Sequence, residues 1–181
     1  FVGEQLNIEF IPEDINPDTI IQYDHYEATY RVVQAIWGNY QEDTIAFSVY
    51  DHYGLPPFAN DKYTMLFVTK QGRGWTQELY QAYPVSRTEE GDWAYCGDPT
   101  PERWESEPAE MHKVVFDPPV YFDIRHYSES GLAERFPAPI WEHVSDRAYC
   151  VMGTGPEELF RIKREGVLRA RGLSFDLRWA L

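Results

Sequence analysis

The sequence predicts a mainly β protein built on one open barrel of about five to seven strands, with one or two short helices. Two runs of alternating apolar and polar residues, at 26–33 and 45–50, have the two-residue period of strands with one face in a core. A third run, at 62–69, is apolar almost throughout. Glycine- or proline-bearing turns separate the three runs, as in small barrels and sandwiches.

The first two runs are predicted to form a hairpin. Tyr26 and Tyr30 belong to the apolar face of the first run, and Ile45 and Val49 to that of the second. A Trp-Gly-Asn turn at 37–39 lies between them, which favours antiparallel pairing. This hairpin is the segment on which the predicted curved sheet depends.

Shorter strands complete the predicted sheet. The chain opens with a strand at 1–11, and a turn at 71–74 leads into a strand at 75–83. The later predicted strands lie at 93–96, 114–116, 120–124 and 167–175.

Two helices are predicted in the second half. The clearer one covers 156–165, because Pro156 suits a first helical position, two glutamates follow it at the positive end, and Gly166 suits the stop. A shorter helix is expected at 128–136, with Ser128 as its N-cap. Both helices are expected in addition to the strands of the sheet.

The predicted organisation is a single domain in three parts. Residues 1–96 form the barrel core, and 112–181 form a β/α extension packed on the same core. Between them, 97–111 is acidic, rich in proline and poor in aliphatic residues, which predicts an exposed excursion.

The charge balance argues against a nucleic-acid partner, and the short apolar runs argue against a membrane span. The chain carries 16 basic and 30 acidic residues, a net charge of −14, which opposes binding to nucleic acid. Apolar runs extend over only a few residues, far from the ~20 that span a bilayer as a helix. We therefore expect neither nucleic acid nor a membrane span.

Two cysteines leave two possibilities open. Cys96 and Cys150 each follow a tyrosine in an apolar stretch, so they could be two buried thiols or one disulfide. The disulfide would stabilise the fold by roughly 4 kcal/mol in the chain-entropy model. We favour it because the sequence starts at Phe1 without an initiator methionine, as in a processed exported protein, which predicts a periplasmic or secreted location.

One tetrapeptide occurs twice. Tyr23-Asp24-His25-Tyr26 recurs as Tyr50-Asp51-His52-Tyr53, and antiparallel pairing would place both copies at the same open end of the hairpin. The candidate binding residues there are Tyr23, His25, Tyr50, His52 and Tyr53.

The same cluster supports an alternative, catalytic interpretation. Asp24, His25, Asp51 and His52 together offer the carboxylate and imidazole groups of an acid/base pair or a metal site. However, adjacent Asp and His in a strand point to opposite faces, so a hydrogen-bonded cluster of polar aromatics is the favoured interpretation. No catalytic residue, metal ligand or cofactor is assigned.

Other chemical signatures are missing. His112, His126 and His143 form no HExxH or Cys/His spacing typical of zinc. The Gly-Thr-Gly at 153–155 lacks both the serine of a nucleophile elbow and the glycines of a phosphate loop.

Aromatic residues exceed what a small core needs. The chain contains 6 tryptophans and 13 tyrosines, and rings at a surface offer flat contact area to a sugar or a protein. Trp104, inside the acidic excursion, is the further candidate contact residue.

Residues 1–70 resemble the netrin-like module, the oligonucleotide/oligosaccharide-binding (OB) type of barrel found in tissue inhibitors of metalloproteinases and in exported bacterial proteins. The matching segments are Phe1-Val2-Gly3-Glu4, the strand at 26–33, the turn at 35–39, and the strands at 44–50 and 63–68. The resemblance implies a barrel scaffold for exported interaction proteins. Inhibitors of that family begin with a metal-chelating cysteine, whereas this chain begins with Phe1, so metalloproteinase inhibition is not implied.

These observations favour a non-enzymatic, extracytoplasmic, bacterial protein that binds a partner protein or a copy of itself. Its surface aromatics and exposed strand edges would make the contact. The alternative is a metal- or carbohydrate-dependent hydrolase built on the Asp24/His25/Asp51/His52 cluster.

Overall fold

A computed structural model describes residues 1–12, 22–99 and 108–175. It confirms the predicted mainly β class, with two α-helices among the described residues. The chain divides into two compact units, one formed by 1–84 and one that begins at Val85.

The first unit is a barrel of five strands. In chain order they are β1 (Val2–Phe10), β2 (Asp24–Gln34), β3 (Thr44–Asp51), β4 (Tyr63–Gln71) and β5 (Gly74–Pro84). They lie in the order β1-β2-β3-β5-β4, and β1 also pairs with β4. The sheet therefore closes on itself, whereas the sequence predicts an open barrel.

Pairing around this ring is uneven. The β2–β3 hairpin is continuous and antiparallel over eight pairs, from Asp24 opposite Asp51 to Arg31 opposite Thr44, which confirms the prediction. By contrast, β3 and β5 run parallel and share a single pair, Ser48 opposite Thr76.

The barrel core follows the predicted two-residue period. Tyr26, Ala28 and Tyr30 of β2 are buried against Ile45, Phe47 and Val49 of β3, whereas the residues between them face outward. Phe58, from the short 3₁₀ turn Pro57–Asn60 after β3, packs into the same cluster.

Gly3 marks the tightest approach in this core. A Cβ atom on Gly3 would lie 2.8 Å from Phe1 Cε2 and 2.9 Å from Tyr30 Cδ1. Tyr30 is fully buried, and its hydroxyl donates to Gln5 Oε1 over 3.2 Å. Only glycine leaves room for this ring between β1 and β2.

The second unit contains two small sheets. Their strands are β6 (Ser86–Arg87), β7 (Trp93–Cys96), β8 (His112–Lys113), β9 (Tyr121–Asp123), β10 (Trp141–Val144), β11 (Arg147–Cys150) and β12 (Met152–Thr154). One sheet has the order β6-β7-β12-β8 and the other β10-β11-β9.

The sequence boundaries differ from this division in two places. The predicted barrel segment ran to residue 96, but β7 pairs with β6 and β12, so 85–96 belongs to the second unit. The strand predicted at 114–116 is reduced to one bridge between Phe116 and Thr88. In the predicted excursion at 97–111, residues 100–107 lie outside the described part of the chain.

Both predicted helices are present. In α1 (Glu129–Arg135) the Ser128 hydroxyl accepts a hydrogen bond from the Gly131 amide, as an N-cap does. In α2 (Pro156–Lys163) proline occupies the start and two glutamates the first turn.

The strand predicted at 167–175 is wrong at its start. Helical backbone lies on both sides of Gly166 within Arg164–Leu168, and the Arg171 amide donates to the Val167 carbonyl as in a helix. Gly166 itself adopts a non-helical conformation, so the first helical segment stops there and a second one follows across a kink. Leu168 is thereby buried, which explains why the chain does not leave in an extended form.

A disulfide joins Cys96 to Cys150, which confirms one of the two possibilities that the sequence left open. Cys150 packs in a small apolar cluster with Ala94 and Phe116. The bond thus ties β7 to the end of β11 within the second unit.

No helix in the described ranges is long and apolar enough to cross a bilayer.

Candidate functional site

The repeated tetrapeptide lies at one end of the barrel, as predicted. Asp24, where β2 begins, is directly opposite Asp51, where β3 ends, and His25 is opposite Tyr50. Because side chains alternate along a strand, each copy contributes to two surfaces of the sheet. Asp24 and Asp51 share the inward parity of Tyr26, whereas His25 and Tyr50 face outward.

The outward pair is part of a polar network. The rings of His25 and Tyr50 stack, with centroids 4.8 Å apart and planes 13° from parallel. His25 Nε2 donates to Glu27 Oε1 over 3.2 Å, and the Ser48 hydroxyl donates to the same oxygen over 2.6 Å. In a serine-protease triad the histidine lies between serine and carboxylate, but here the carboxylate lies between them. The network therefore orders this face without activating Ser48.

His52 has different partners from His25. Its Nδ1 donates to the Gln22 carbonyl, which fixes the ring just beyond the end of β3. The rings of Tyr23 and Tyr53 pack edge-on to it, with centroids 5.7 Å and 5.0 Å away. The two histidines thus have separate partners, Glu27 for His25 and the Gln22 carbonyl for His52. Among the described residues, no group of three or more His, Cys, Asp and Glu could hold a metal ion.

Tyr80 joins this cluster, although the sequence alone does not single it out. Its ring lies 6.3 Å from that of Tyr53, centroid to centroid. Its backbone has φ +61°, a left-handed conformation that is rare for a bulky residue. The β4–β5 pairing is interrupted at this point, because Leu66 pairs with Ala82 and Val68 with Gln77.

Two buried glutamines hold the bulge that contains Tyr80. Gln77 Nε2 donates to the Gln81 carbonyl over 2.9 Å, and Gln81 Nε2 donates to the Leu79 carbonyl over 3.1 Å. Both side chains are more than nine-tenths buried. They satisfy backbone carbonyls that the broken ladder leaves unpaired, so the strained conformation is supported from inside the barrel.

We refer to Tyr23, His52, Tyr53 and Tyr80 as the tyrosine cluster. Its tyrosines are 39%, 85% and 47% exposed, respectively. Phe10, at the end of β1 and opposite Tyr26 at the start of β2, is 51% exposed, and its ring packs against that of Tyr26 with centroids 5.5 Å apart. This end of the barrel therefore presents aromatic surface to solvent.

A buried carboxylate, Asp51, lies close to Tyr53 and Tyr80. Asp51 is only 3% exposed, and its Oδ1 accepts a hydrogen bond of 2.8 Å from the Tyr53 amide. Burial raises the pKa of Tyr26, and the negative charges of Asp24 and Asp51 raise this pKa further. Desolvation also raises the pKa of Tyr80. A hydrogen bond with the His52 backbone lowers this pKa, and the negative charge of Asp51 raises it. The site is electronegative as well as aromatic.

The structure does not describe the tryptophan that the sequence predicts as a contact residue. Trp104 lies outside the described residues. The four described tryptophans, Trp37, Trp75, Trp93 and Trp141, are buried or half-buried. The exposed rings are instead tyrosine and phenylalanine.

Comparison with known proteins gives no relative to guide the interpretation: no protein-family model, no curated protein and no solved structure matches this chain.

Proposed function

We propose that this is a non-enzymatic protein that works outside the reducing cytosol and binds a partner protein through the tyrosine cluster. Tyrosine offers a large apolar ring with a polar hydroxyl, and such residues dominate the energetics of protein interfaces. The cluster combines several of them on the rim of one rigid barrel. The Cys96–Cys150 disulfide supports the extracytoplasmic location.

The observation that carries this proposal is the backbone of Tyr80. A bulky residue in the left-handed region costs of order 1–3 kcal/mol, and such strain gathers at functional sites. Here it is maintained by two buried glutamines and places a half-exposed ring beside Tyr53. A regular strand would avoid this cost, so the bulge is best explained by what Tyr80 contacts outside the barrel.

We also propose that the barrel is of the OB or netrin-like type. Its five strands, ring closure and single parallel contact between β3 and β5 support this assignment. In OB folds the face formed by strands 2 and 3, with adjoining loops, binds ligands. The tyrosine cluster lies around the start of β2 and the end of β3.

A different protein is favoured over a second copy as the partner. Residues 1–84 contain 12 acidic and 4 basic residues, so two identical barrel ends would repel each other in a symmetric dimer. No contact in the described residues favours the hydrolase alternative.

Site-specific photo-crosslinking tests the proposal. A benzophenone amino acid replaces Tyr53 in one protein and Arg73, an exposed turn residue before β5, in a matched control. In extracts of the source cells we expect a crosslinked adduct from position 53. Excess wild-type protein should suppress this adduct, whereas excess Tyr53→Ser/Tyr80→Ser protein should not. The adduct is then identified by mass spectrometry and titrated as a purified protein.

The purified partner gives the quantitative result. Tyr53→Ser should weaken binding by about 30-fold, the loss typical of an interface hot spot. Equal labelling at positions 53 and 73 would contradict the proposal. So would a partner whose affinity is unchanged when Tyr53 and Tyr80 are substituted. Sedimentation equilibrium should show a monomer for the free protein.

A further inference from the structure

Two facing carboxylates at the barrel end lack a positive partner in the described chain. Asp24 and Asp51 are opposite each other, which is an unfavourable arrangement for like charges. Neither forms an ion pair with any residue that the structure describes. The preceding sequence, 13–21, contains three acidic residues and no lysine or arginine, so it cannot neutralise them.

The rings of Tyr53 and Tyr80, close to Asp51, also lack a cation in the described chain. Elsewhere the protein places its own cations on aromatic faces: Arg147 lies 4.3 Å from the Tyr121 centroid and Lys62 lies 5.0 Å from that of Tyr63. The described residues place no lysine or arginine over Tyr53 or Tyr80. Faces of this kind attract ammonium and guanidinium groups, more strongly where an anion lies nearby.

We infer that the partner presents a basic segment, and that one of its lysine or arginine side chains lies over Tyr53 and Tyr80, facing Asp24 and Asp51. This inference rests on the proposed function and names the chemistry of the partner. The cation would relieve the repulsion between the two carboxylates, and the rings would shield the new pair from water. Arginine is the better fit, because its planar group stacks on a ring and bonds a carboxylate at its edge.

Other occupants fit this surface less well. A polyanion would be repelled by the acidic barrel. A bare divalent ion prefers six or more oxygen ligands, whereas only two carboxylates meet here. A cationic side chain needs only the carboxylates and the rings that are present.

Labelled peptides test this inference by fluorescence anisotropy. The probes are a short peptide of alternating arginine and glycine, the same peptide with citrulline in place of arginine, and the same with glutamate. Citrulline keeps the shape of arginine and removes its charge. We expect the arginine peptide to bind at least about ten-fold more tightly than the citrulline peptide, with the affinity falling as salt increases.

Matched variants locate the contact. Asp24→Asn/Asp51→Asn should reduce affinity for the arginine peptide by about ten-fold or more, since it removes both charges while the new amide oxygen at position 51 can still accept the Tyr53 amide. Glu42→Gln/Asp43→Asn removes two charges at the other end of the hairpin and should have little effect. Tyr53→Phe keeps the ring face and should bind, whereas Tyr53→Ser should not. Circular dichroism confirms folding of each variant.

The outcomes separate the inference from the proposed function. Equal binding of the arginine and citrulline peptides, or equal losses in the two double variants, would overturn the inference. If position 53 crosslinks a partner whose affinity depends on the tyrosines but not on Asp24, Asp51 or salt, the inference is wrong and the function stands. If neither peptide nor partner depends on Tyr53, both are wrong.

Discussion

The Tyr53 amide donates to Asp51 Oδ1 over 2.8 Å, so a buried carboxylate fixes the chain that carries the most exposed large hydrophobic side chain described. Asp51 thus has two roles at the barrel end. It orients Tyr53 through its backbone, and it places negative charge beneath the aromatic surface. Substitution by asparagine separates these roles, because it keeps the acceptor and removes the charge.

Gly3→Ala should destabilise the barrel. The new methyl group would come within 3.0 Å of Phe1 and of the fully buried Tyr30, and overpacking of this kind costs about 1–3 kcal/mol. Urea denaturation measures the change. Gly74→Ala is the matched control, because a Cβ there meets no atom within 4 Å, and its stability should be unchanged or slightly raised. Equal stability of the two variants would show that the core yields freely around Gly3.

Tyr80→Asn and Tyr80→Val should differ in stability although both remove the ring. Asparagine tolerates the left-handed backbone, whereas a β-branched side chain does not, so the valine variant should be less stable by about 1 kcal/mol. Thermal unfolding measures the difference. The asparagine variant should fold as well as the wild type and still lose binding to the partner. If the two variants melt together, the bulge relaxes to a regular strand when the tyrosine is absent.

Reduction of the disulfide should destabilise the second unit. Removing the link between Cys96 and Cys150, which are 54 residues apart in sequence, costs roughly 4 kcal/mol in the chain-entropy model. Hydrogen exchange with and without reductant should show lost protection in β7 and β11. A protein with both cysteines replaced by alanine should behave like the reduced form. Unchanged exchange in these strands would mean that packing around Ala94 and Phe116 is sufficient.

The Asp123 carboxyl should titrate well below its usual range. Hydrogen bonds from the Arg125 side chain, and then from its backbone, lower the pKa of Asp123 to about 2. A carboxyl with a depressed pKa contributes stability above its unfolded value, near 4, and loses it as pH falls towards 2. NMR titration of the side chain checks this value. Arg125→Gln should return the pKa towards the ordinary range, and a value unaffected by that change would exclude the pair as its cause.

The sequence predicted the part of the fold that follows a simple period. Side-chain alternation located β2 and β3, and antiparallel pairing correctly placed both copies of the repeated tetrapeptide at one end of the hairpin. Helix starts were predicted from Ser128 and Pro156 because caps are local chemistry. Each of these features depends on residues close in sequence.

The missed features depend on tertiary context. In the sequence, Tyr80 looks like an ordinary strand residue. Its positive φ depends on a bulge and on two glutamines that are buried in the core, and neither can be read from the sequence. Polar residues flanking Leu79 and Tyr80 were the available signal, although alternating strands contain such residues routinely. Similarly, the sequence predicted a strand after Gly166, but a second helical segment follows the kink there and buries Leu168.

The single ladder pair between Ser48 and Thr76 has a consequence for how the barrel would fail. Opening the ring there breaks fewer strand contacts than opening it between β2 and β3, and it bares two unpaired strand edges at once. Such edges are templates for aggregation through strand addition. His52 and Tyr53 follow β3, and Tyr80 belongs to β5, so a ligand bound across the tyrosine cluster would bridge this seam and slow fibre formation.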